Sequence, residues 1–270
     1  MKKIIALLMV VAMLFCFAGC GETDTASNTS EPQAVKSDLE YIKDKGKLVV
    51  GITDFAPMDY EDENGNWIGF DADMATAFAK QLGVDVEFVE IDWDNKAFEL
   101  EGKTIDVVWN GMTLTDEVKA AMDCSNAYCN NAQIVIVKAD VADSYKTVED
   151  CKELNFAVEA GSAGKKEAEA NGFTFTEVKD QATAITEVMA GTSDAAIIDS
   201  LMAAAMVGEG TGYDELTYTV PLNSEEYGVG FRKGSDLVEK LNQFFKDSYA
   251  DGTMMATAEE YGVQASIIEQ

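Results

Sequence analysis

Histidine is absent from the 270 residues, which removes Ser-His-Asp and Cys-His nucleophiles, imidazole proton transfer and most zinc sites in one step. Carboxylates remain for acid–base work, but no pair stands out by context among 49 acidic residues. Basic residues are scarce. Twenty Lys and Arg against those 49 leave a formal net charge of −29, a surface that repels phosphate backbones. No Lys/Arg-rich patch with interleaved aromatics opposes it, so nucleic acid is a poor partner; the charge suits a solvated extracytoplasmic surface. Arginine occurs once, at position 232. Neither a nucleotide-binding P-loop nor a recognisable metal-ligand spacing is present, so neither cofactor nor metal is expected.

The N-terminus is the first positive signal. Met1-Lys2-Lys3 precedes an apolar run from Ile4 to Ala18, the n-region and h-region of an export signal and shorter than the ~20 residues of a membrane span. The run closes on Phe17-Ala18-Gly19-Cys20. This looks like a bacterial lipobox, which implies a signal peptide over 1–19, an acylated Cys20, and placement on the outer face of the cytoplasmic membrane. Residues 20–37, rich in Thr, Ser, Asn, Glu and Ala, read as a flexible tether. Cys124, Cys129 and Cys151 then remain in the body. An odd number argues against a disulfide framework, and buried, inert thiols fit their apolar surroundings, although a Cys124–Cys129 pair stays open.

Beyond the tether the chain reads as two α/β runs. Lys47 to Ile52 is a buried strand, Asp71 to Leu82 has helical spacing and stops at Gly83, Val84 to Ile91 alternates as a strand, and a helical stretch lies near Lys96 to Leu100. Ile105 to Trp109 is a further strand that breaks at Asn110-Gly111. This alternation predicts a parallel sheet with right-handed crossovers. After the strand Ala132 to Lys138 the pattern restarts: strand 156–158, helix 164–171, strand 173–178, helix 181–190, strand 195–199, helix 201–207. Tyr227 to Arg232 forms one more strand, followed by helices 236–250 and 256–261. The last strand has no partners of its own and must pack on the first unit. The expected organisation is lobe 1 from 38–133 plus 229–270 and lobe 2 from 134–228, with hinge crossings near 133–138 and 223–229.

Seven segments in this order carry a resemblance: Ile68 to Met74, Ile91 to Asp94, Ile105 to Thr115, Val158 to Ser162, Ala195 to Ser200, Tyr227 to Gly234 and Asp251 to Thr253. From about Asp38 to the C-terminus the chain resembles the solute-binding proteins for polar amino acids that serve ABC importers, bacterial extracellular solute-binding protein family 3. The resemblance implies a two-lobed α/β fold of the periplasmic-binding-protein type II, with a two-strand hinge. It further implies a monomer that closes around a small amino-acid-like ligand and delivers it to ABC permease subunits, without catalysis. The implied ligand contacts are Phe55 and Trp93 as sandwiching aromatics, Asn110 and Gly111 through the backbone, Thr113 through its hydroxyl, Gly161, Ser162 and Ala163 at a helix N-terminus, and Asp199 as partner of an α-ammonium group. Asp199 also fits an N-cap for the following helix. Trp109, inside a strand, reads as core.

The chain departs from the family at one place. An arginine that clamps the ligand carboxylate is expected after Thr115-Asp116-Glu117, and Val118 stands there instead. Either the ligand has no carboxylate at that point, or Lys165 or Lys166 receives it. Lys119 is about 100° round the helix from Val118 and should point elsewhere. Two rival functions share the scaffold: a lyase of the cyclohexadienyl-dehydratase kind, and a ligand-sensing module for a membrane receptor.

Overall fold

A computed structural model describes residues 37–270. The export signal, Cys20 and the tether up to residue 36 lie outside the described residues. Ser37, read as the last tether residue, already belongs to the fold. Its hydroxyl accepts the Glu40 N–H while the Glu40 carboxylate accepts the Ser37 N–H, a capping box that starts helix α1 (Asp38–Lys45).

The chain then forms β1 (Lys47–Ile52), the short pair β2 (Tyr60–Glu61) and β3 (Trp67–Ile68), α2 (Phe70–Leu82), β4 (Asp85–Glu90), α3 (Lys96–Glu101), β5 (Val107–Thr113), α4 (Asp116–Ala121), β6 (Asp123–Cys124) and β7 (Cys129–Asn131). It continues with β8 (Gln133–Lys138), β9 (Asn155–Glu159), α5 (Ala163–Asn171), β10 (Thr174–Val178), α6 (Gln181–Ala190), β11 (Ala195–Asp199), α7 (Ser200–Met206) and β12 (Leu216–Pro221). It ends with β13 (Glu225–Phe231), α8 (Leu237–Asp251) and α9 (Thr253–Glu260). The first sheet has the order β4-β1-β5-β13-β6 with β7 also on β13; the second has the order β10-β9-β11-β8-β12. β1 runs parallel to β4 and β5, and β9 parallel to β10 and β11. This two-sheet α/β architecture is the one expected from the alternating pattern.

One expected boundary is wrong. Asn110-Gly111 was to break the strand, yet β5 continues through it to Thr113. The antiparallel neighbour β13 supplies ladder partners on either side of the dipeptide, Gly230 for Val108 and Gly228 for Met112, and the register shifts between them. The turn-forming pair is thus spent on a bulge inside a strand. Gly111 takes φ 54°, and any side chain there would run into the Phe55 ring.

The chain passes from one sheet to the other between β7 and β8, across Ala132 alone, and returns between β12 and β13. The two passages are bonded to each other: Gln133 N–H donates to Asn223 Oδ1 at 2.6 Å and Leu222 N–H to the Gln133 carbonyl at 2.8 Å.

The core of the first half forms where α8 lays Leu237, Leu241, Phe244 and Phe245 on the sheet. Phe245 meets Trp109 edge-on at 5.6 Å and Phe244 meets Phe78 at 5.5 Å. Trp109 is buried, as a core residue should be. Each such side chain contributes about 1.5–3 kcal/mol by leaving water. The sole arginine is committed here too. Arg232 Nε donates to both Asp38 carboxylate oxygens, Nη1 to the carbonyls of Leu100 and Ile105, and Nη2 to Asp106. Cys124, Cys129 and Cys151 are free thiols.

Candidate functional site

The carboxyl ends of β1, β4 and β5 face those of β9 and β11, and the loops after them hold the residues of interest. Trp93 opens a single 3-10 turn after β4, and Phe55 follows β1. Ser162 caps α5, its hydroxyl accepting the Lys165 N–H at 3.1 Å. Gly161, with φ 68°, lets the chain enter that cap next to Asp94 of the opposite half.

A cavity of about 170 Å³ lies between Trp93, Lys96, Met112, Thr113 and Val118 on one side and Gly161, Ser162, Ala163 and Lys166 on the other. A second, of about 440 Å³, shares Thr113, Ala163 and Lys166 and is bounded by Glu167, Asn223 and Glu225. Trp93, Thr113, Gly161, Ser162 and Ala163 therefore converge on open space. Phe55, Asn110, Gly111 and Asp199 do not line it but form the packed layer behind. The Asn110 amide accepts from the Thr53 N–H and hydroxyl and donates to the Thr53 carbonyl and Asp59. Gly111 N–H donates to Asp71 at 2.7 Å, as does the Tyr128 hydroxyl. Burial pushes the Asp71 carboxyl up to about 7, and burial, then Asp71, holds the Asp59 carboxyl beside it well above its ordinary range.

Asp199 holds the N-cap position of α7, yet no helix N–H reaches its side chain. It accepts instead from the amides of Asn131, Gln133 and Gln181 and from the Tyr227 hydroxyl. Asn131 and Gln133 also donate to Glu225, which accepts the Thr113 hydroxyl as well. Burial, with Glu225 nearby, pushes Asp199 up to about 8. Phe55 joins this layer through an edge-on contact with the Tyr227 ring at 6.3 Å.

Val118 lines the smaller cavity, whereas Lys119 is exposed and does not. Of the two lysines offered as substitutes, Lys165 turns away to Glu177 at 3.0 Å, while Lys166 lines both cavities and pairs with Glu117 at 2.5 Å. Sequence reasoning overlooked Lys96, Glu159, Gln181, Glu225 and Tyr227. Glu159 sits inside a segment quoted for the resemblance, and an acid ending a buried strand was the available signal. Burial, then Asp199, pushes Glu159 up to about 8.

A family model described as bacterial extracellular solute-binding proteins, family 3, matches residues 48–264. The arginine-binding extracellular protein ArtP of Bacillus subtilis (strain 168) is 28% identical over 263 residues, covering 94% of this chain and 95% of that protein. The L-cystine-binding protein TcyJ of Escherichia coli (strain K12) is 30% identical over 228 residues, 83% of this chain and 85% of that one. Among solved structures, the ancestral amino acid-binding protein AncCDT-1, a precursor of cyclohexadienyl dehydratase, superposes with a TM-score of 0.77 at 34% identity, covering 83% of this chain and 99% of that one.

Proposed function

This chain belongs to the bacterial extracellular solute-binding proteins of family 3, and from that membership we propose how it works. It is the extracytoplasmic substrate-binding component of an ABC importer and captures an amino acid or amino-acid-like small solute. The observation that carries the mechanism is the cavity walled by both halves, with Trp93 and Thr113 opposite Gly161 to Ala163. The solute enters between the half built on the first sheet and the half built on the second, and the halves close on it about the two bonded passages. Closure is driven by the solute's greater affinity for the closed form. Phe55, Asn110, Gly111 and Asp199 fix the wall from behind. The closed form docks on permease subunits, and a lipid on Cys20 holds the protein at the membrane.

A thermal-shift screen against amino acids and their amides tests the capture step, because a ligand at 100 times its Kd stabilises by about 2.7 kcal/mol. A panel that shifts nothing would count against it. Detergent-phase partitioning that survives Cys20→Ala would remove the lipid anchor, and pull-down from membranes identifies the permease. A second reading, a lyase on this scaffold, is favoured by buried Glu159 with its raised pKa and by the similarity to a dehydratase precursor. Product formation from any bound solute would establish it.

A further inference from the structure

The Lys96 ammonium occupies a place with the features of a cation site. Nζ lies 4.7 Å from the Trp93 ring centroid and donates to the carbonyls of Trp93 and Gly161, each at 3.0 Å. A ring face and two carbonyl oxygens are electron-rich surfaces of the kind that bind ammonium groups. Nearby is Glu159, 2% exposed, whose Oε1 has no hydrogen-bond partner. Among the described residues, Lys96 is the one cation whose charge acts on it, and it favours the ionised form. From Glu159 the row of buried acids continues through the Gln181 amide to Asp199, and through Asn131 and Gln133 to Glu225. Neutral amides link these three carboxylates, and among the described residues no ammonium or guanidinium group is bonded to any of them. The other lysine in the cavity wall, Lys166, is neutralised by Glu117.

Lysine suits this position poorly and can leave it easily. Its ammonium is a strongly hydrated point charge on a flexible stem. Burial lowers the Lys96 pKa to about 8 although Glu159 and Asp94 pull the other way. The residue borders the cavity, so a swing of its four-carbon stem releases the ring face and both carbonyls to an incoming group.

We propose that this is a cation subsite filled from within the chain by Lys96, and that the transported solute carries an ammonium or guanidinium group that displaces Lys96 from the Trp93 face and the Gly161 carbonyl. The inference rests on the solute-binding function above and narrows its substrate class to organic cations: basic amino acids, their amides, and diamines.

Isothermal titration of the full chain with L-arginine, L-arginine amide, 1,4-diaminobutane, L-glutamine and L-glutamate tests this, with Lys96→Met and Glu159→Gln run alongside. At least one of the three cations should bind the unaltered protein tenfold or more tightly than glutamine or glutamate. Lys96→Met, which removes the internal competitor, should bind that cation at least threefold tighter. Glu159→Gln should bind it at least tenfold weaker. Weaker cation binding by Lys96→Met, or loss of glutamate binding in that variant, would make Lys96 an anchor for a ligand anion and overturn the proposal. Glutamine binding as tightly as the cations overturns it as well, while leaving the solute-binding function intact. No binding of any probe by the unaltered protein would overturn both. Should Glu159→Gln fail to fold, the Lys96→Met comparison decides, since that side chain is only half-buried at the cavity edge.

Discussion

Tyr227 in β13 of the first sheet donates its hydroxyl to Asp199 at the end of β11 in the second, across 2.7 Å. One hydrogen bond thus joins the strand that returns the chain to the first half and the most heavily bonded carboxylate of the other. Tyr227→Phe leaves Asp199 with its three amide donors and removes the link. The expected loss is about 1–3 kcal/mol of unfolding free energy, the cost of depriving a buried polar group of a partner. Urea denaturation measures it.

Gly161→Ala separates closure from folding. A Cβ on Gly161 would lie 2.6 Å from Asp94 Cα, and the φ of 68° strains any L residue. The clash is with the backbone of the opposite half, so the variant should fold and stay apart. Small-angle scattering should report a larger radius of gyration, with solute affinity down at least tenfold. An unchanged radius and affinity would show that the halves do not meet at this point.

Arg232→Met should be costly for folding and silent for binding. It takes one partner from Asp106, which is fully buried and keeps Lys45 and the Val49 N–H, and it frees two carbonyls. Losing charge-assisted hydrogen bonds of this kind costs about 1.5–3 kcal/mol. A chemical-denaturation midpoint shows the loss, while solute affinity measured well below that midpoint should stay within twofold.

Stability should fall as pH rises from 5 to 8. Glu159 and Asp199 hold their protons up to about pH 8 in the folded chain, whereas an unfolded carboxyl releases its proton near 4. Between those limits the folded state binds more protons, so each unit of pH gained costs stability. Asp71, raised to about 7, acts in the same sense. Asp62 and Glu117, lowered to about 2 by their hydrogen bonds, act only below pH 4 and leave this window untouched. Lys96, lowered to about 8, works the other way only above pH 8. Scanning calorimetry should give a higher Tm at pH 5 than at pH 8, at about 2–4 °C per kcal/mol for a domain of this size. The drop should shrink in Glu159→Gln.

Much of the fold was legible because buried parallel strands are continuous apolar runs, so the spans 47–52 and 195–199 could be read directly, and helix 181–190 by its apolar spacing. β12 escaped notice: Leu216 to Pro221 mixes polar and apolar residues and ends in proline, and only its partner β8 makes it a strand. Asn110-Gly111 misled because a turn dipeptide and a bulge look alike without the neighbouring strand. For the site, the family resemblance pointed to Trp93, Thr113 and Gly161 to Ala163, which border the cavity. Lys96 carries no local mark, and Glu159 only that of an acid ending a buried strand. Their meeting depends on a contact between residues 65 positions apart, Lys96 with Gly161, which no periodicity encodes.

The shortness of the two passages between the sheets has a mechanical consequence. Ala132 alone spans the first, and cross-bonds to Asn223 and Leu222 fasten it to the second. Paired straps of that length resist sliding and shear, leaving one soft rotational mode about a line across both. In the proposed cycle every solute that shuts the molecule brings the same outer faces into register, so occupancy is written in their orientation alone.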